Sequence, residues 1–309
     1  MTTETDERQA LETLDFRLKT ILPKEYQDSY EDVQPVSMGS AGLKFGEDGR
    51  VAWDEIWGSF CDLAMAGGPP HKGTLLEPGT RAAIDAQPDR YREVVDEISR
   101  GVTMVTELPA DASPAAGWVR VQCYSEGMAS WLLRAIVMEN VSARASGLDL
   151  DLPAAPAFRL EKEIKNVITV IAKTCHYYLG HMPRWQRRSI AELFAALEQE
   201  SPLLVPAVSD DGQRAETDEP LFEAMASRIA RETGLRTSRH RYASWLGVEC
   251  PSVHAAVWMM RALVVSNVLS RREEMALFVP VNRASDPSGD RAVDALVRTH
   301  RLATVRGIL

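Results

Sequence analysis

Apolar residues recur every three or four positions over 11–22, 91–100, 160–179, 185–199, 221–233 and 291–303, which predicts helices in those stretches. Other segments alternate residue by residue. Gly42-Leu-Lys-Phe45, a turn at Glu47-Asp-Gly-Arg50 and Val51-Ala-Trp53 read as a β-hairpin. A helix from about 54 to 66 is stopped by Gly67-Gly68-Pro69-Pro70. Trp118-Val-Arg-Val-Gln-Cys123 reads as a strand, Ser125 as the cap of a helix running to about residue 145, Gly147 as its stop, and 148–152 as a second strand closed by Pro153. Strand, helix and strand on short connections predict a right-handed, parallel β-α-β unit.

This pattern occurs twice. Residues 118–153 align without a gap on 245–280, 127 positions later, with 14 identities in 36 positions. The matches include Trp118 with Trp245, Cys123 with Cys250, Trp131 with Trp258, Arg134 with Arg261 and Asn140 with Asn267. Chance supplies about two. Outside this span the likeness is thin; Tyr91-Arg-Glu-Val resembles Phe222-Glu-Ala-Met. The expected fold is therefore helix-rich α+β, with two tandem pseudo-symmetric repeats that each contain a β-α-β unit. Residues 1–157 would form the first half, with an N-terminal arm and the hairpin, and 158–309 the second, with a C-terminal helix. A pocket is expected where two such halves meet.

Composition narrows the class. At 309 residues, 45% hydrophobic and 26% charged, the chain can bury a full core. A net charge of −9 argues against nucleic-acid or anionic-membrane partners. The polar, acidic start does not read as a signal peptide, and the most apolar stretch, 255–265, is too short to span a bilayer. Four scattered cysteines suggest no disulfide framework, so a cytoplasmic protein with reduced thiols is expected.

Four groups could carry chemistry. Arg134 and Arg261, with Asn140 and Asn267, lie on otherwise apolar helices; buried guanidiniums there either tie helices to internal carboxylates or grip an anionic ligand. The segment Gly67-Gly-Pro-Pro-His-Lys-Gly-Thr74 offers His71 and Lys72 as catalytic groups, and Gly68, Gly73 and Thr74 as ligand contacts; alternatively it is an ordinary turn. Cys175, His176 and His181, with His71, have the donor types for a metal, but their spacing fits one helical face poorly. Cys123 and Cys250 precede helix N-termini, where a thiolate gains stability, yet alternation puts them on the apolar face. GxSxG, GxGxxG, CxxC and kinase patterns are missing.

The expected function is a cofactor-independent, small-molecule enzyme of lyase, isomerase or hydrolase type, with acid–base chemistry on a carboxylate- or phosphate-bearing metabolite. A non-catalytic ligand-binding or assembly scaffold is the alternative, and a metal-dependent enzyme a third. A homo-oligomer is compatible with either architecture.

Overall fold

The computed structural model describes residues 4–24, 27, 42–56, 74–209 and 215–309. Backbone contacts group the chain into two units: residues 33–187 with 210–213, here the first unit, and residues 1–32, 188–209 and 214–309, the second. Among the described residues no helix is long and apolar enough to cross a membrane.

The second unit begins with α1 (Glu4–Ile21). In the first unit the expected hairpin is reduced to one antiparallel bridge, Phe45 to Val51, closed by Gly46 N to Arg50 O at 2.8 Å. Residues 53–56 begin a helix, and the rest of the expected 54–66 helix lies outside the described residues. Then follow α2 (Arg81–Ala86), α3 (Pro88–Thr106), β1 (Ala110–Ala112), β2 (Trp118–Gln122), α4 (Glu126–Met138), β3 (Arg144–Ser146), β4 (Asp149–Pro153) and α5 (Lys165–His176). Short π-helical turns, Leu160–Ile164 and Tyr177–His181, flank α5.

The four strands form one antiparallel sheet in the order β1-β2-β4-β3. Trp118 lies opposite Pro153 and Arg144 opposite Asp151. The expected parallel β-α-β unit is therefore not formed. Ser125 does cap the helix, accepting from Met128 N at 3.1 Å. However, the helix ends at Met138, because Asn140 turns left-handed (φ 56°). This frees residues 144–146 to pair as β3, and Gly147 (φ 58°) serves the hairpin between β3 and β4 rather than a helix end. The strand expected to return parallel instead inserts antiparallel between β2 and β3, giving a split β-α-β.

Helix α3 buries Val94, Val95, Ile98 and Val102. It packs against β1, β2 and α5, and at Gly101 an added Cβ would lie 2.3 Å from Ile168 Cδ1.

The second unit continues with α6 (Arg184–Glu200), its residues from 188 onward, then α7 (Glu219–Thr233), β5 (Arg236–Thr237), β6 (Trp245–Glu249), α8 (Val253–Val264), β7 (Arg271–Glu273), β8 (Ala276–Pro280) and α9 (Asp290–Val305). Its sheet is also antiparallel, in the order β5-β6-β8-β7, with Trp245 opposite Pro280 and Arg271 opposite Phe278. Ser252 caps α8 through Ala255 N at 3.0 Å, and Asn267 (φ 62°) follows that helix.

Local detail correspond beyond the aligned span. Thr106 Oγ1 donates to Val102 O at 2.7 Å and accepts from Leu108 N; Thr233 Oγ1 donates to Ile229 O at 2.7 Å and accepts from Leu235 N. Helix α7 buries Leu221, Phe222, Met225 and Ile229, each 127 positions after a buried residue of α3. The helices thus keep the register of the sheets, and Tyr91 with Phe222 is a mismatched pair. The reason is geometric: burial repeats with the helix period, so a four-residue slip still superposes apolar positions.

Candidate functional site

Gly68, His71, Lys72 and Gly73 lie outside the described residues. Thr74 is exposed. Two residues on, Leu76 N donates to Asn140 O at 2.8 Å, and Ser142 N returns a bond to Leu76 O at 2.9 Å. The described end of the glycine-proline segment is thereby stitched to the turn after α4. Asn140 is fully buried, and its left-handed backbone presents that carbonyl. Arg134 is buried on α4, where Nη1 donates to Ser130 O at 3.0 Å and to Ser130 Oγ. In the second unit Arg261 is buried on α8, and Asn267 repeats the left-handed turn, its carbonyl accepting from Leu204 N at 3.0 Å.

The residue before Asn140 was not singled out from sequence. Glu139, at the C-cap of α4, is buried and accepts from Lys173 Nζ at 2.8 Å; their side chains are 6% and 3% exposed. Burial drives the Lys173 pKa below the ordinary lysine range, against the opposing charge and hydrogen bond of Glu139. Glu139 Oε2 is buried without a hydrogen-bond partner among the described residues. Such an acceptor is costly unless a proton, a water or a ligand meets it. The available signal was a lysine inside the apolar run Val170-Ile-Ala-Lys173-Thr-Cys175.

One turn further along, the ammonium of Lys173 stands 6.0 Å from the Tyr177 ring. His176 and His181 approach Nε2 to Nε2 at 3.0 Å. An i, i+5 pair cannot share a face of an α-helix, but the π-helical turn Tyr177–His181 closes i→i+5 and brings the rings together. One imidazole donates to the other, the roles set by their tautomers. Burial, then the charge of His181, lowers the His176 pKa.

Cys175 does not join them. It is buried, and desolvation pushes its pKa far up. No cluster of three metal-ligating side chains forms among the described residues. Cys123 and Cys250 are buried too, their pKa values raised to about 12, first by desolvation and then by Asp149 and Glu249 respectively. Burial outweighs the helix N-terminus at both.

The two sheets differ in their polar pairing. In the first, Asp151 binds Arg120 at 3.0 Å and Arg144 at 2.8 Å. In the second, Gly247 and Phe278 stand 127 positions after Arg120 and Asp151. Arg271, buried, lies 4.0 Å from the Phe278 ring and 4.2 Å from the Tyr242 ring, and bonds Glu273 at 2.7 Å. Burial alone would raise the Glu273 pKa, but bonds from Tyr242, Arg271 and His240 and the charge of Arg271 hold it below the usual range.

The described residues form a mixed α+β architecture with two antiparallel four-stranded sheets and a buried Glu139–Lys173 ion pair. Compared with known proteins, the chain matches no family model, no curated protein and no solved structure.

Proposed function

We propose that this is a small-molecule enzyme performing proton-transfer chemistry of lyase, isomerase or hydrolase type on an anionic metabolite. The observation that carries the reading is the orphaned Oε2 of Glu139 beside Lys173. In this reading Glu139 takes or returns the proton, Lys173 supplies the counter-charge, and the His176–His181 dyad relays the proton outward. The bond from Leu76 to Asn140 supports assigning substrate capture to the preceding segment, with Lys72 attracting the anion and His71 assisting proton transfer. We further infer that the shared strand order and left-handed turns descend from a duplication, with 1–157 and 158–309 as the successive halves.

The test is turnover of a polar metabolite extract followed by mass spectrometry. Wild-type protein should deplete an anionic species, while Glu139→Gln and His181→Ala, folded by circular dichroism, should leave it. Depletion by Glu139→Gln at the wild-type rate would refute the assignment.

A scaffold without catalysis is favoured by one observation: Arg134 donates to Ser130 of its own helix. That reading expects no depleted species from any variant.

A further inference from the structure

The π-helical turn after α5 sets His176 and His181 with their Nε2 atoms 3.0 Å apart. A straight N–H···N bond at that spacing would hold the ring centroids about 5.3 Å apart, because each Nε2 lies about 1.2 Å out from its own centroid. The centroids are 4.8 Å apart, with the ring planes at 69°. The Nε2 axes are therefore bent away from the line that joins the two nitrogens.

A bend of about 40° in each ring, toward the same side, satisfies both spacings. The axes then cross about 2 Å from both nitrogens at an angle of about 100°, the bond length and bite of two imidazoles on one metal ion. The same bend brings the N–H···N angle to about 125°, close to where a hydrogen bond weakens steeply. Tyr177, buried, meets His181 edge-on at 5.7 Å and lies tilted against His176 at 6.5 Å, so both rings are braced. The two histidines are themselves only partly buried, and the neighbouring Gly180 is exposed, which leaves the pair within reach of an ion.

We propose that His176 and His181 chelate a divalent late first-row transition ion through their Nε2 atoms, with water or an anion completing its coordination. Paired imidazoles suit Zn²⁺, Ni²⁺ and Cu²⁺, whereas Mg²⁺ and Ca²⁺ take oxygen donors. The site does not rest on the catalytic reading. A bound ion occupies both Nε2 lone pairs, so the proton relay belongs to the metal-free protein.

The experiment is calorimetric titration of the metal-stripped full chain with Zn²⁺ at neutral pH, with Mg²⁺ as the control. Zn²⁺ should bind with a Kd of about 100 μM or tighter, and Mg²⁺ should not bind. His176→Gln and His181→Gln should each weaken Zn²⁺ by about tenfold or more, whereas Cys175→Ala should leave it unchanged. If a glutamine variant misfolds, Cu²⁺ on the wild type gives a second readout: its electron paramagnetic resonance spectrum should show coupling to two imidazole nitrogens. Zn²⁺ binding weaker than about 100 μM, equal affinity in His181→Gln and wild type, or Cu²⁺ coupled to a single nitrogen would overturn the proposal.

Discussion

Replacing Lys173 by Met tests the buried pair directly. Wild type holds Lys173 Nζ 2.8 Å from Glu139 Oε1, with both side chains nearly sealed from solvent. Met fills most of the lysine stem but leaves Glu139 without a counter-charge. A buried lone carboxylate is avoided by taking up a proton. At pH 7 that costs a carboxyl of ordinary pKa near 4.3 about 3.7 kcal/mol, at 1.36 kcal/mol per pH unit. The same step costs about 1 kcal/mol at pH 5. Lys173→Met should therefore lose about 3–4 kcal/mol at pH 7, in line with other broken buried pairs, and most of the deficit should vanish by pH 5. Adding Glu139→Gln should recover at least half of the pH 7 loss, because the uncompensated charge is gone while one amide remains to be satisfied. Urea unfolding read by hydrogen exchange of α4 and α5 amides at both pH values measures all three proteins. A pH-independent deficit, or a double variant no more stable than Lys173→Met, would refute the argument.

Two other predictions concern the second unit. Gly247→Ala places a Cβ 2.7 Å from Phe278 Cε1 and 2.9 Å from Ser238 Cβ, so it should cost about 1–3 kcal/mol in urea unfolding, and Phe278→Leu in the same chain should relieve most of that. Glu273 has a folded pKa below the ordinary glutamate value, so the unfolded chain binds its proton first on acidification; the stabilisation is complete above that ordinary value and fades as pH falls through the folded one. Glu273→Gln should flatten the stability profile in that acid window, and an unchanged slope would contradict the network around Arg271.

How much was legible beforehand follows from which forces act locally. Helix spacing, the Ser125 cap and the strands 118–122 and 245–249 are written in short-range pattern, and each is present in the structure. The expected helix runs on to about residue 145 with Gly147 as its stop, while only the left-handed Asn140 and the pairing with β4 decide that residues 144–146 form a strand. Parallel or antiparallel pairing was equally beyond local pattern, since alternation fixes a strand's faces and not its direction.

The site divides the same way. Repetition of Arg, Asn and Trp in the sequence by itself marked the helices α4 and α8, whereas the antiparallel split sheets that carry them were decided by tertiary pairing. Glu139 and Lys173 are 34 positions apart and belong to different helices. Only packing of α4 on α5 brought their charges together out of water, and only a π-helical turn let His176 reach His181. Local sequence sets backbone preference over a few residues; burial of charge and the meeting of distant side chains are properties of the packed chain alone.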